Sequence, residues 1–227
     1  MSRQDNVPSE QRVQQLIDAL LSVKELETLV GFYFNGLPKT NFAGHLFDSL
    51  SDNPPERVVA SDLVAVSLLD VNFGPKATDQ LLNEGCLNAY LALQKLPTSI
   101  DLWSAIDHID DLYSARNALK ELDGVGPVKA SKLLARKRPR LARISDRHVE
   151  SFFGCQGWEF LEPLAKCLAN SEKLVKEINN LCPADTSPDE APSTLRLLDV
   201  TIWMTRSRST GAAEAREAAL GSRDPLG

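Results

Sequence analysis

The 227-residue sequence lacks any apolar run long enough to cross a lipid bilayer. A membrane-spanning helix needs about 20 consecutive apolar residues, and the longest candidates, such as LVAVSLL at 63–69, are far shorter. The first twelve residues, MSRQDNVPSEQR, are polar and precede no apolar core, so we do not expect them to act as a secretory signal. These absences predict an intracellular protein, with the cytoplasm as the expected location and no membrane partner.

Cysteine is scarce, and no two cysteines stand close together. The four cysteines, Cys86, Cys155, Cys167 and Cys182, include no CxxC pair. Their spacing therefore argues against a zinc site and against a disulfide framework. We expect buried free thiols, in keeping with a reducing compartment.

Basic residues are outnumbered in the chain as a whole, whose net charge of −6 argues against a nucleic-acid partner. Residues 127–150, here called the basic segment, reverse that balance. They contain eight Lys or Arg and two acidic residues, a net charge of +6, so the other residues carry −12. Such a segment could form a local phosphate-binding face. Alternatively, it is the solvated end of a charged helix.

The alternation of apolar and polar residues that marks a strand is absent, whereas apolar residues recur at helical spacing throughout. We therefore predict an all-α fold of about ten short helices. The run LVAVSLLDV, capped by Ser61 or Asp62, is apolar nearly all round and is predicted to be a central buried helix. Other helices are predicted to begin near Ser9 and Pro75, and at about 86–95, 100–107, 114–122, 127–137, 146–153, 158–169, 171–181 and 193–206. Residues 207–227 lack an apolar stripe and are predicted to be disordered or only nascently helical.

The stretch LDGVGPVKASKLL at 122–134 joins two apolar-periodic runs. Gly124 and Gly126 allow positive φ and leave amide groups uncovered, and Pro127 suits the first turn of a helix. The amides then lie at the positive end of the helix dipole, where an anion is favoured. Such a hairpin would hold a DNA backbone without reading sequence. The predicted backbone-binding residues are Gly124, Val125, Gly126, Lys129, Lys132 and Arg136.

LDGVGPVKASKLL resembles the helix-hairpin-helix motif, and ISDRHV after it resembles the Asp-bearing segment of the Gly-Pro-Asp pattern in the endonuclease III-like DNA glycosylase superfamily. LVAVSLLDVN resembles the early core helix of that superfamily. The resemblance implies a two-lobed, all-α fold. Residues 59–138 would form a core lobe with the helix-hairpin-helix motif at about 114–137, and residues 1–58 with 139–206 would form the second lobe.

The resemblance also implies a monofunctional DNA N-glycosylase, which swings a damaged or mispaired base out of the duplex into a cleft before excising it. Asp146 would stabilise the developing oxocarbenium sugar and orient or deprotonate a water. Alternatively, Asp146 only caps the helix that follows it. Asn72 matches the residue that fills the gap left by the extruded base. Phe73, Trp103 and Tyr113 could wall a base pocket, or they pack in the core.

Two departures from the superfamily pattern narrow the expected chemistry. Val128 stands where lyase-competent members carry a lysine, so strand-cutting lyase activity is not expected. The cysteine spacing does not fit an iron–sulfur cluster, and no cofactor is expected apart from a monovalent cation that could bind at the hairpin. We assume a monomer that binds duplex DNA through its phosphate backbone. Two alternatives remain: a non-catalytic DNA-binding or adaptor protein of the same fold, and an N-glycosidase of free modified nucleosides, for which an acidic surface is no handicap.

Overall fold

A computed structural model describes residues 7–36, 42–50, 53–83 and 86–221. Over these ranges the chain is helical and contains no β-strand, which confirms the all-α prediction. The helices are α1 (Glu10–Leu21), α2 (Leu26–Asn35), α3 (Ala60–Ser67), α4 (Pro75–Leu82), α5 (Leu87–Gln94), α6 (Ile109–Lys120), α7 (Pro127–Lys137), α8 (Arg147–Phe153), α9 (Leu161–Ala169), α10 (Glu172–Asn179), α11 (Thr194–Arg206) and α12 (Thr210–Gly221). Short 3-10 turns occur at Ala43–Phe47, Leu102–Ser104 and Ile106–His108.

Helix α1 shows how the local pattern determines an element. Ser9 is its N-cap and accepts the Arg12 amide on its hydroxyl at 3.2 Å. Val13, Ile17 and Leu20 recur at helical spacing and are buried, and the helix packs mainly against α9. The stripe predicted from the sequence is therefore the buried face of α1.

Helix α3 is less buried than predicted. Ala65 and Val66 are buried, but Val64 is 53% exposed. The helix begins after Val59. The Val59 amide donates to the Asp62 carboxylate at 2.9 Å, so Asp62 caps the helix from a position within its first turn. One side of α3 packs against α7, and the other side faces solvent.

Helix α12 occupies part of the region that the sequence predicts to be unstructured, so that prediction is wrong for residues 210–221. Ala212, Ala215 and Ala219 are buried against α2 and α11. Because their side chains are small, these alanines do not form a recognisable apolar stripe in the sequence. Alanine is nevertheless the strongest helix former and allows close helix packing. Arg216 ties α12 to the preceding helix by donating to the Met204 carbonyl at 2.6 Å. Residues 222–227 of the predicted tail lie outside the described ranges.

The buried apolar side chains form one continuous cluster that draws on α1 to α12. Cys86, Cys155 and Cys167 are buried and Cys182 is partly buried, and all four thiols are free, as predicted. Burial raises the pKa of Cys155 and of Cys167 to about 11. No described helix has both the length and the apolar character needed to span a bilayer. The division into two lobes stays a prediction.

Candidate functional site

The predicted hairpin joins α6 to α7, which pack against each other. Gly124 has a φ of 73°, which favours glycine, and Gly126 is the N-cap of α7 with no side-chain cap. Val125 between them is buried, and its amide donates to the Leu122 carbonyl at 3.0 Å. A Cβ atom at either glycine would meet nothing within 4 Å. The start of α7 therefore presents an open backbone surface.

Lys129 lies across this hairpin. Its Nζ donates to the Gly124 carbonyl at 2.8 Å and lies 5.6 Å from the centroid of the Phe73 ring. The Phe73 ring therefore stabilises the ammonium group of Lys129 at the hairpin through a cation–π contact. The positive charge of Lys129 adds to the positive end of the α7 dipole.

Most cationic side chains of the basic segment are buried. The buried members are Lys132, Arg136, Lys137, Arg138 and Arg143, each with 6% or less of its surface exposed. Arg136 donates to the Phe47 carbonyl at 2.8 Å and the Asp48 carbonyl at 2.9 Å. The prediction that Arg136 contacts phosphate is wrong, because its guanidinium is used inside the protein.

Asp62, Arg136 and Lys137 form the Asp62 cluster. The fully buried carboxylate of Asp62 accepts from Arg136 Nε at 3.3 Å and pairs with Lys137 Nζ. Lys137 Nζ also donates to Asn53 Oδ1 at 2.8 Å and to the Pro54 carbonyl at 3.0 Å. Burial lowers the pKa of Lys137, and the neighbouring Asp62 opposes that shift. The cluster connects α3 and the chain at 47–50 and 53–54 to the end of α7.

The burial of cations leaves the remaining chain strongly acidic. Among the described residues, seven cationic side chains and the carboxylates of Asp62 and Asp199 are buried, a net contribution of +5. Since the whole chain carries −6, all other residues together carry −11. The buried cations are Arg116, Lys132, Arg136, Lys137, Arg138, Arg143 and Arg196. The basic segment thus provides little exposed positive charge: Lys129, Arg140 and Arg147 are its exposed or partly exposed cations.

A cavity of about 460 Å³ opens beside Asp146 and is called the Asp146 cavity. This volume falls within the range of small-molecule sites, about 300–1,000 Å³. Its walls come from α2, the end of α3, α7, the start of α8, α11 and the residues leading into α12. Its charged and titratable lining includes Asp70, Lys132, Asp146, Arg147 and His148.

Asp146 is both a helix cap and a cavity residue. Its Oδ1 accepts the His148 amide at 2.9 Å and the Val149 amide at 3.1 Å, which confirms the capping interpretation. Its side chain is half-buried and borders the cavity. Oδ2 accepts no hydrogen bond from the described residues, so that oxygen is available to a water or a ligand. Burial lowers the pKa of His148, and the Asp146 charge opposes that shift.

Lys132 lines the same cavity, and its contact with a DNA phosphate stays a prediction. It is 6% exposed, and its Nζ donates to the Leu69 carbonyl at 2.6 Å. Burial lowers the pKa of Lys132, while Asp146 and Asp70 oppose the shift. Asp70 itself follows α3 with a φ of 63°, an uncommon conformation for a residue other than glycine.

Three aromatic residues form one wall of the cavity. The Tyr33 and Phe42 rings are stacked at 5.5 Å, and Trp203 meets them edge-on at 6.1 and 5.8 Å. The buried Arg196 also lines the cavity; it donates to the Tyr33 hydroxyl at 2.9 Å and pairs with Asp48 at 2.7 Å. Tyr33 and Phe42 are nearly fully buried and Trp203 only partly, so Trp203 contributes most of the ring surface available to a ligand.

The aromatic residues predicted for the pocket do not line the Asp146 cavity. Tyr113 donates to the Trp158 carbonyl at 2.7 Å and packs edge-on against that ring. Trp103 lies by a separate depression near Arg140, and Phe73 lies beneath Lys129. For Tyr113 and Phe73 the structure favours the packing alternative.

Asn72 is exposed between α3 and α4, two residues after the cavity residue Asp70. Its gap-filling role stays a prediction. The described residues include no group of three or more His, Cys, Asp or Glu side chains that could hold a metal ion.

Comparisons with known proteins add one match. No curated protein and no solved structure matches the chain. The model of DUF6308, described as a family of unknown function, matches residues 26–206. The matched part runs from the start of α2 to the end of α11, and so includes the hairpin and Asp146 but not α12. The chain therefore belongs to the family DUF6308.

Proposed function

We propose that this protein is a DNA-binding helix-hairpin-helix protein that excises a damaged or mispaired base from duplex DNA as a monofunctional N-glycosylase. The observation that carries the proposal is the position of Asp146, which borders a cavity of about 460 Å³. A carboxylate beside a cavity with a partly aromatic wall suits the hydrolysis of a bond between a sugar and a base.

The relation between hairpin and cavity supports the proposal. Helix α7 starts at the hairpin, and its residue Lys132 lines the cavity. Gly126 and Lys132 are six residues apart, about 9 Å along a helix axis. A backbone phosphate at the hairpin would therefore lie a short distance from the cavity that receives the flipped nucleotide.

Asp146 has the chemistry for the hydrolytic step. Its Oδ1 is held by two amides of α8, so the carboxylate is fixed in place, while Oδ2 is available. Oδ2 would orient a water and take its proton as the water oxygen bonds to C1′ of the sugar. The C1′–N bond breaks and the base leaves with its electrons. The negative carboxylate also stabilises the positive charge that develops on the sugar.

The direct test is base release from a panel of duplexes that carry alkylated, oxidised, deaminated or mispaired bases. We expect Asp146→Asn to lower the single-turnover rate about 100-fold or more, the range of general acid–base contributions. Asn caps helices as well as Asp, so this variant removes the charge without removing the cap. Asp110→Asn, an exposed first-turn position of α6, is the matched control. If wild type and Asp146→Asn are equally inert and both still bind duplex, the protein is a non-catalytic DNA-binding protein.

The hairpin can be tested separately by comparing Gly126→Asp with Gly126→Asn. A side chain at this position meets open space, and both residues are good N-caps. We expect Asp to weaken binding to all duplex sequences alike and Asn to weaken it much less, because only the charge differs. Weakening confined to one sequence contradicts a backbone-binding role.

A second candidate, N-glycosidase action on a free modified nucleoside, is favoured by one observation. The buried cations leave the rest of the chain at −11, which disfavours an extended contact with DNA. Binding to duplex falls steeply with salt, whereas turnover of a neutral nucleoside does not. Measuring base release from nucleosides and from duplex between low and moderate salt therefore separates the two substrates.

A further inference from the structure

Arg116 differs from the other buried cations in having no acceptor. Among the described residues, six of the seven buried cationic side chains donate to carbonyls or carboxylates. Arg116, on α6, is 8% exposed and makes neither a hydrogen bond nor an ion pair with the described residues. Because a buried charge without a partner is costly, this arginine points to an acceptor that those residues do not supply.

The guanidinium of Arg116 lies over an indole ring. Its Cζ is 5.1 Å from the centroid of the Trp158 ring. Trp158 is 1% exposed, and its carbonyl accepts the hydroxyl of Tyr113, one turn earlier on α6, at 2.7 Å. The guanidinium is therefore held in place before a ligand arrives, which lowers the entropic cost of binding one.

The terminal nitrogens of Arg116 are its accessible part. Nε is fully buried without a partner, whereas Nη1 and Nη2, which also lack a partner among the described residues, are not fully buried. Gly157 has a φ of 60°, and a Cβ atom at this position would lie 3.6 Å from Nη2. The missing side chain leaves space beside Nη2. The two terminal N–H groups of a guanidinium match two oxygens of a phosphate or carboxylate group.

Glu150 is the carboxylate whose charge acts on Arg116, but the two do not form an ion pair. Its Oε1 accepts the Gly157 amide at 2.9 Å and the Ser145 hydroxyl at 3.2 Å. Burial lowers the pKa of Arg116, and the charges of Tyr113 and Glu150 oppose that shift. Arginine remains charged at neutral pH, so the site provides a positive charge without a contacting carboxylate.

Arg116 lies on the helix that leads into the hairpin. It stands four residues before Lys120, the last residue of α6, which is about 6 Å along the helix axis. The Gly157 carbonyl accepts the Ser145 hydroxyl at 2.8 Å, and the Ser145 amide donates to the Ser131 hydroxyl of α7 at 3.2 Å. Arg116 and the hairpin amides therefore belong to the same pair of packed helices.

We propose that Arg116 binds a phosphate group through its two terminal nitrogens. The same helix pair forms the hairpin proposed to bind a backbone phosphate, which favours phosphate over carboxylate as the ligand. Duplex DNA and free phosphate offer the same oxygens. DNA as the source rests on the proposed function, whereas the site itself does not depend on base excision.

The first arm of the test uses inorganic phosphate and the full-length protein. Calorimetry measures Tm as phosphate replaces chloride at constant ionic strength. A ligand that binds the folded protein raises Tm, but phosphate also strengthens apolar burial in general. The measured quantity is therefore the difference in response between wild type and Arg116→Met. We expect the variant to lose at least about tenfold in phosphate affinity, the effect of losing one hydrogen bond to a charged group.

Two further variants separate charge from geometry. Arg116→Met leaves no carboxylate without its contacting cation, so we expect it to fold. Arg116→Lys keeps the charge without the two-point contact, and should respond to phosphate more weakly than wild type but more strongly than Arg116→Met. Arg140→Met is the matched control, because Arg140 is exposed and pairs with Asp101 at 3.1 Å. It should respond to phosphate as the wild type does.

The second arm measures binding to an undamaged duplex over a range of salt concentrations. One contact with a backbone phosphate contributes about 0.9 to the slope of log affinity against log salt, so Arg116→Met should reduce the slope by about one if DNA supplies the phosphate. A phosphate response that depends on Arg116, together with an unchanged slope, supports the site with free phosphate as the source. Equal phosphate responses and equal slopes in wild type and Arg116→Met would overturn the proposal. Neither arm requires base release.

Discussion

Asp62→Asn is the substitution that most directly tests the account of the buried basic segment. Asp62 is fully buried and compensates Arg136 and Lys137 while it also accepts the Val59 amide. Breaking a buried ion pair by removal of one partner costs about 3–5 kcal/mol. Asn keeps the volume and one acceptor, yet it leaves two buried cations without their carboxylate. We therefore expect a loss of at least about 3 kcal/mol in the free energy of unfolding, by the same principle.

The loss can be measured by urea denaturation and by calorimetry. For a chain of 150–250 residues, each kcal/mol lowers Tm by about 2–4 °C, so we expect a decrease of at least about 6 °C. Asp110→Asn is the control, because this exposed Asp contributes at most about 1 kcal/mol through the α6 dipole. Adding Lys137→Met to Asp62→Asn should recover part of the loss, since one uncompensated cation is removed. A cost below about 1 kcal/mol for Asp62→Asn would refute the reasoning.

The remaining predictions concern the hairpin backbone and the thiols. Gly124→Ala should destabilise the protein by about 1 kcal/mol, because a Cβ is unfavourable at a φ of 73°, whereas Gly126→Ala at a φ of −77° should cost less. Thermal unfolding of the two variants compares them, and equal costs would contradict the strain argument. Cys155 and Cys167, with pKa values raised to about 11 by burial, should react slowly with a thiol reagent in the folded state at pH 8, since few thiolates form below that pKa. Rapid labelling of either in folded protein, with the kinetics followed by mass spectrometry, would contradict their burial.

Sequence patterns predicted the helices that begin with a clear signal. Helix α7 has the predicted bounds of 127–137, because Pro127 starts it and a regular apolar face continues it. Helix α6 starts at Ile109, earlier than the predicted 114. Helix α2 was not predicted, since LVGFYF is apolar without a helical period and Glu25 before it takes a φ of 60°. Helix α2 carries Tyr33, which forms part of the aromatic wall of the cavity.

The charge of the basic segment can be counted from the sequence, but the burial of its side chains cannot. Besides Asp62, the acceptors of Arg136 and Lys137 include the backbone carbonyls of Phe47, Asp48 and Pro54, more than 80 residues away in sequence. No local pattern shows that such distant carbonyls will enclose a cation. The position of Asp146 directly before α8 could be predicted from the sequence. Its capping role and its proposed catalytic role both depend on that position. Nothing near Trp203 in the sequence connects it with Asp146, and only the packed structure reveals its contact with the cavity.

The Asp146 cavity is assembled from parts of the chain that are far apart in sequence, from Tyr33 to Gly211. None of these parts alone encloses a space, so a ligand that fills it binds the folded protein and not the unfolded chain. Occupancy should then stabilise the whole fold by about 2.7 kcal/mol at a ligand concentration 100 times its Kd. A thermal-shift screen of bases, nucleosides and abasic oligonucleotides can therefore find the cavity's ligand by its effect on unfolding, with no reaction assumed.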